Sequence, residues 1–163
     1  GKRSHAVNDA RVADLDGDGH LDLVTANLGT STISTFRGRG DGSFEKDRQL
    51  EAGKNGAFLG LGDLDGDKDL DLVITHWTES FVSVFLNRGD GTFAAGTVHP
   101  SGLGSYGVDV ADLDLDGHLD IVSANYRDTT ISILKGRGDG TFAPTVTLPR
   151  GLRVSGGRIG PAP

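Results

Sequence analysis

The sequence predicts an all-β protein: a β-propeller of three four-stranded blades. Three observations predict it. An Asp-rich loop recurs at a fixed spacing, each repeat breaks into short apolar or β-branched runs divided by turn residues, and no stretch sustains a 3.6-residue period. The loop Asp14 to Asp22 (DLDGDGHLD) returns at Asp63 to Asp71 and at Asp112 to Asp120, 49 residues on each time. A second marker, Gly38 to Phe44 (GRGDGSF), returns at Asn87 to Phe93 and Gly136 to Phe142 with the same offset. No insertion or deletion therefore separates the copies. Four strands per repeat of this length mark a propeller blade. A β-sandwich, the other all-β reading, rarely keeps so long a repeat without indels.

Within the first copy the elements follow in order. Val7 to Ala13 forms a first strand that runs into the Asp-rich loop. Asp22 to Ala26 follows, with Leu23 and Val24 as its apolar, β-branched centre. Thr32 to Phe36 is the third strand, closed by a turn at Gly40-Asp41-Gly42. Phe44 to Leu50 is a weaker, more polar fourth strand, and Lys46 and Arg48 suit an exposed sheet edge. The chain reads as one repeat domain over 1–163, with blade 1 at 5–53, blade 2 at 54–102, blade 3 at 103–149 and a tail at 150–163. In the tail Pro161 falls where a fourth loop would start, so the pattern stops at three blades. Propellers close with 4–8 blades. The chain is thus expected to be a partial ring completed by further blades, half of a six-bladed ring made by two copies, or an arc that stays open.

Composition narrows the function. The net charge is −7, which argues against nucleic acid and anionic membranes as partners. No apolar run approaches the roughly 20 residues of a membrane helix, so no membrane insertion is expected. Without cysteine there is no disulfide framework, thiolate metal site or cysteine nucleophile. Methionine and a signal-peptide pattern are also missing, and Gly1 reads as a cut or processed end. Of the 23 acidic residues 20 are Asp, a residue of turns and metal loops rather than helices.

The Asp loops carry the chemistry. Each offers oxygen at positions 1, 3, 5 and 9, with a backbone carbonyl expected at 7. The first set is Asp14, Asp16, Asp18, Asp22 and the carbonyl of His20. The second is Asp63, Asp65, Asp67, Asp71 and the carbonyl of Asp69. The third is Asp112, Asp114, Asp116, Asp120 and the carbonyl of His118. Four carboxylates in nine residues repel one another unless a cation sits among them. All-oxygen ligands in a flexible loop select Ca²⁺ over Mg²⁺. Up to three Ca²⁺ per chain are expected, which would bring the net charge from −7 to −1. An EF-hand is excluded. It needs a bidentate Glu at position 12 and flanking helices, whereas position 12 is Thr25, Ile74 or Ser123 and the flanks are strands.

The motif D-x-D-x-D-G-x-x-D, the apolar strand after it and the later G-D-G-[ST]-F resemble the FG-GAP repeat, also called the VCBS-type repeat, over roughly Ala6 to Leu148. The resemblance implies a propeller like the head of integrin α subunits, with a Ca²⁺ loop between the inner strand and the next. It also implies recognition, adhesion or scaffolding outside the cytoplasm, secreted or at the cell surface. Related repeats accompany adhesins, lectins and polysaccharide-acting enzymes. The second loop departs from the pattern, with Lys68 where the others have Gly19 and Gly117. If that position is left-handed, Lys costs roughly 1 kcal/mol more than Gly, and the second site is expected to be the weakest.

Other motifs carry less. Arg-Gly-Asp occurs at Arg39, Arg88 and Arg137 but lies within the G-D-G turn. Opposite the Asp loops, the turns between second and third strands lead with Leu28, Trp77 and Tyr126, and the loops joining blades add Phe58 and Tyr106. Trp77, Tyr126, Tyr106 and Phe58 are the candidate ligand-binding residues, for a carbohydrate or a protein, and packing between blades is the other reading of the same positions. No catalytic motif is present, and His5, His76 and His99 are scattered, so no enzyme activity is expected of this chain. Two rival readings remain: a fragment of a polysaccharide-active lyase or hydrolase, and a purely structural repeat without a ligand.

Overall fold

A computed structural model describes residues 6–28, 30–46 and 48–149, and the backbone of 153–155 and 158–160, with the side chain of Leu28 left aside. His5 and most of the 150–163 tail lie outside the described residues. Among those described there is no helix, and none long and apolar enough to cross a membrane.

The three repeats fold as three antiparallel four-stranded sheets, each a meander in chain order. Blade 1 holds β1 (Ala6–Ala13), β2 (Asp22–Leu28), β3 (Thr32–Phe36) and β4 (Arg48–Glu51). Blade 2 holds β5 (Gly56–Gly62), β6 (Asp71–His76), β7 (Phe81–Phe85) and β8 (Thr97–Pro100). Blade 3 holds β9 (Ser105–Ala111), β10 (Asp120–Asn125), β11 (Thr130–Leu134) and β12 (Val146–Pro149). In the tail, β13 (Arg153–Ser155) pairs with β14 (Arg158–Gly160) as a separate two-stranded ribbon.

The fourth strand is shorter than the sequence suggests. It starts at Arg48 rather than Phe44, because Phe44 turns back to bridge Gly38 and closes the G-D-G turn. Phe93 with Asn87 and Phe142 with Gly136 do the same. Phe58 and Tyr106, expected in loops between blades, stand instead near the starts of β5 and β9. Gly56 and Ser105 pair with the ends of β6 and β10 across a bulge that leaves Phe58 and Tyr106 out of the ladder, which extends each strand past the turn residues that suggested a loop.

Blades stack face to face, and the core lies between them. One cluster joins Leu15, Val24 and Ile33 of blade 1 to Leu59, Ile74, Phe85 and Phe93 of blade 2. A second joins Leu64, Val73 and Val82 of blade 2 to Ile121, Leu134 and Phe142 of blade 3. The middle blade is covered on both sides, so every residue of β6 is buried. That is why its sequence, Leu-Val-Ile, runs continuously apolar rather than alternating. The first strands of neighbouring blades lie against each other and form the inside of the arc. Two bonds tie β1 to β5: Asn8 Nδ2 donates to the Ala57 carbonyl (2.8 Å), and the Leu59 amide to Asp9 Oδ2 (2.9 Å).

Candidate metal centres and an aromatic face

Each Asp loop joins the first strand of a blade to its second. The loop coils because its carboxylates accept from its own backbone. Asp14 accepts the amides of Gly17 and Gly19, both at 2.9 Å, and Asp63 those of Gly66 (2.7 Å) and Lys68 (3.0 Å). Asp112 accepts those of Asp116 (3.2 Å) and Gly117 (2.9 Å). The later carboxylates continue the pattern, with Asp18, Asp67 and Asp116 each taking the amide two residues on.

This winding draws oxygens together. In the first loop Asp14, Asp16 and Asp18 each bring a ligand atom within 4.8 Å of the others, as do Asp112, Asp114 and Asp116 in the third. In the second the group is Asp63, Asp65 and Asp71. Asp67 lies outside that group, and Asp22 and Asp120 lie outside theirs. The side chains at position 7 face the G-D-G turn of their own blade: His20 lies beside Gly40, Asp69 beside Gly89 and His118 beside Gly138. The donor set of each group is all oxygen, negative and partly solvent-facing, which fits a hard divalent cation.

Position 9 has a further job. Asp71 is fully buried, and its two oxygens accept the amides of Leu64 and Asn87, each at 2.8 Å. Asp22 bridges Leu15 and Gly38 in the same way, and Asp120 bridges Leu113 and Gly136. This carboxylate ties the loop to the G-D-G turn of its blade. Burial pushes the Asp71 carboxyl up to about 6, against the two amides that favour its charge. Burial also raises Asp65.

Two cations and one backbone feature escaped the sequence reading. Arg37 reaches Asp16 (2.5 Å) and Asp18 (2.9 Å), and Lys135 pairs with Asp114. The amide of His20, and then Arg37, hold the Asp18 carboxyl below its usual range; Lys135 does so for Asp114. Arg37 and Lys135 are equivalent positions, and the middle blade has Leu86 there. The shared offset was the available signal. The sixth loop position is left-handed, as the Lys68 argument requires: φ is 83° at Gly19, 79° at Lys68 and 90° at Gly117. The fourth is left-handed too, and there the third loop has Leu115 at 62°. Strain therefore marks the second and third loops alike and does not by itself single out the second.

The Arg-Gly-Asp carboxylates are used inside their own turns. Asp41 accepts the amide and hydroxyl of Ser43, and Asp90 and Asp139 those of Thr92 and Thr141. The hydroxyl bond is the main reason that each of these carboxyls sits below its ordinary range.

The four aromatic candidates converge at the opposite end of the strands. Tyr106 stands at the centre, 4.7 Å from Phe58, 5.1 Å from Trp77 and 6.1 Å from Tyr126 between ring centroids. Arg127 adds its guanidinium 6.0 Å from the centre of the Trp77 ring. Trp77, Tyr106 and Tyr126 are exposed, so the cluster bridges blades 2 and 3 and still faces solvent. Leu28, the equivalent position in blade 1, ends β2, and its side chain lies outside the described residues.

An arc of four-stranded blades with an acidic loop at the same corner of each defines a β-propeller of repeat type. The FG-GAP-like repeat family matches three times, over residues 14–74, 63–123 and 112–162, and the chain belongs to that family. No curated protein sequence matches. Among solved structures the chain is similar to an Agrocybe aegerita lectin described as specifically recognising non-reducing terminal N-acetylglucosamine. The identity is 25%, the TM-score 0.63, and the match covers 86% of this chain and 38% of that one. It is also similar to part of the Photorhabdus luminescens Tc holotoxin pore, at 26% identity and a TM-score of 0.50, over 91% of this chain and 7% of that one. The chain thus spans well under two thirds of either structure.

Proposed function

We propose that this chain is a calcium-stabilised recognition module that binds carbohydrate on its aromatic face. The observation that carries the reading is the convergence of Trp77, Tyr106, Tyr126 and Phe58 from two blades into one solvent-facing cluster. Rigid aromatic faces take the apolar side of a sugar ring, while neighbouring polar groups take its hydroxyls. Arg127 is placed to donate. The lectin similarity makes a terminal N-acetylglucosamine the first probe.

In this reading the Asp loops serve rigidity rather than chemistry. The first loop holds its ion through Asp14, Asp16 and Asp18, the second through Asp63, Asp65 and Asp71, the third through Asp112, Asp114 and Asp116. The position 7 carbonyls of His20, Asp69 and His118, with Asp67 and the position 9 carboxylates Asp22 and Asp120, complete the donor set. A bound Ca²⁺ supplies the positive charge that relieves carboxylate repulsion. In the first and third loops it competes with Arg37 and Lys135. A site outside the cytoplasm, where calcium is about millimolar, would keep even weak loops filled. Further blades or a second copy would complete the ring.

Trp77 is the only tryptophan, so its fluorescence reports on the face directly. Titration with N-acetylglucosamine should give a saturable change. In calorimetry, Trp77→Ala and Tyr126→Ala should each weaken binding about tenfold, the equivalent of roughly 1.4 kcal/mol. A flat titration, or unchanged affinity in both variants, would overturn the carbohydrate reading and leave a structural module.

A further inference from the structure

The aromatic cluster belongs to one junction. Phe58, Trp77, Tyr106, Tyr126 and Arg127 meet between blades 2 and 3. One period earlier, at the junction of blades 1 and 2, the same positions hold Asp9, Leu28, Ala57, Trp77 and Thr78. That set has one aromatic, a carboxylate and no cation. The site is therefore a single addition to a repeated frame, and Arg127 is the part of it that ring packing does not explain.

The frame holds Arg127 in place and leaves its charge unmatched. The turn before β9 is pinned from both sides: the Gly104 amide donates to the Glu79 carbonyl (3.2 Å), and the Tyr126 amide donates to the Gly104 carbonyl (3.0 Å). The Arg127 stem lies across Gly104, where a Cβ would come within 2.8 Å of Arg127 Cγ. The guanidinium then ends 6.0 Å from the centre of the Trp77 ring. Among the described residues the ion pairs are those of Arg11, His20, Arg37, Arg39 and Lys135, and Arg127 takes part in none. The acidic groups nearby are engaged elsewhere. Asp128 Oδ2 accepts the Leu103 amide (2.5 Å), Glu79 Oε1 accepts the Thr78 hydroxyl (3.3 Å), and Asp9 pairs with Arg11 (2.8 Å). The negative net charge does not contradict this, because the three Asp loops at the other end of the strands carry more than half of the 23 acidic residues.

A guanidinium offers a planar fork of donors that matches a carboxylate with two parallel bonds. Here the fork stands beside ring faces that are 39% exposed at Trp77, 48% at Tyr106 and 72% at Tyr126. Together they suit a ligand with an apolar ring face and a carboxylate on its rim. A hexuronic acid carries both on one sugar residue.

We propose that the aromatic face prefers saccharides of the uronic acid class, with Arg127 reading the carboxylate, and that blades 1 to 3 carry one such site. The inference rests on the carbohydrate reading above and narrows it: neutral sugars bind through the rings, and acidic sugars bind more tightly through Arg127 as well.

The test titrates the whole chain, by Trp77 fluorescence and calorimetry, with glucuronate, with its neutral amide glucuronamide and with N-acetylglucosamine. Glucuronate should bind about tenfold tighter than glucuronamide, as one added charge-assisted contact at an exposed site gives. One site per chain should fill. The preference should shrink as ionic strength rises from about 0.1 to 1 M. In Arg127→Gln the ratio of the two affinities should fall to about one, and in Arg127→Lys, which keeps the charge but not the fork, it should lie between. Circular dichroism should show the fold retained, since Arg127 is exposed. Acetate, a carboxylate without a ring, should not displace glucuronate. Equal affinity for glucuronate and glucuronamide while N-acetylglucosamine still binds would overturn this inference and leave the carbohydrate reading standing. A preference that survives Arg127→Gln, displacement by acetate, or more than one site per chain would also overturn it. No response to any of the three sugars would overturn both readings together.

Discussion

Lys68 and Leu115 hold left-handed backbone that the first loop assigns to Gly19 and Gly17. A side chain in that region costs about 1–2 kcal/mol, and glycine returns part of the gain as chain entropy on folding. Lys68→Gly and Leu115→Gly should therefore each stabilise the fold by about 0.5–1 kcal/mol in urea unfolding without metal. A loss of stability would show that the surrounding loop depends on those side chains. Asp71 makes the opposite case. Asp71→Ala orphans the amides of Leu64 and Asn87 in a buried place, and relief of the buried charge offsets only part of that. The cost should be about 2–4 kcal/mol, measured in EDTA so that it cannot be a metal effect. A neutral result would mean that the residue acts only through a cation.

Equivalent strands carry different solutions to the same packing problem. At the end of the second strand stand Asn27, His76 and Asn125. Asn27 and Asn125 donate to Ser34 and Ser132, and His76 Nε2 contacts the corresponding Ser83 at 2.9 Å while Nδ1 meets the Lys54 carbonyl at 2.8 Å. Burial lowers the His76 pKa, against the Lys54 carbonyl and Glu79, which favour the charged ring. A neutral buried histidine contributes stability that is complete above the unfolded value near 6.5. That stability is lost as pH falls from there through the lower folded value. His76→Asn, which installs the neighbours' solution, should flatten the dependence of melting temperature on pH between about 7.5 and 5. A parallel slope in the variant would place the sensitivity elsewhere. The strands themselves were legible in the sequence, because β-branched runs and Gly-Asp-Gly turns are local signals. The grouping of Asp14, Asp16 and Asp18 was legible for the same reason. The starts of β5 and β9 were not, since pairing resumes at Gly56 and Ser105 beyond a bulge that holds Phe58 and Tyr106. Arg37 and Lys135 were missed because their pairing with the loop spans some twenty residues and looks like ordinary surface charge. The convergence of aromatics on Tyr106 depends on how blades 2 and 3 stack, which no single repeat encodes.

The molecule coheres through its two junctions rather than through any one sheet, and this sets how it responds to damage and to metal. Phe93→Ala removes a buried ring from the first junction and should cost about 3–5 kcal/mol. Such a loss is felt by both blades it joins, so unfolding should remain a single transition. Two separated transitions would show blades that fold independently. In the proposed reading calcium would act on the same junctions, because the first two Asp loops also carry the leucine that the next blade covers. An ion that holds the loop in its coiled form fixes Leu15 against Phe93 and Leu64 against Phe142. By linkage each independent site adds about 2.7 kcal/mol when free Ca²⁺ is 100 times its Kd. Metal-stripped protein should therefore take up two or three Ca²⁺ in calorimetry, and its melting temperature should climb with Ca²⁺ and respond little to Mg²⁺. The middle loop, where Leu86 replaces the competing cation and the carboxylates include buried Asp71, should fill first. Leu86→Lys should weaken that step alone. Uptake that begins in the first or third loop would show that the ion displaces Arg37 or Lys135 at no cost, and that strain at Lys68 governs the order after all.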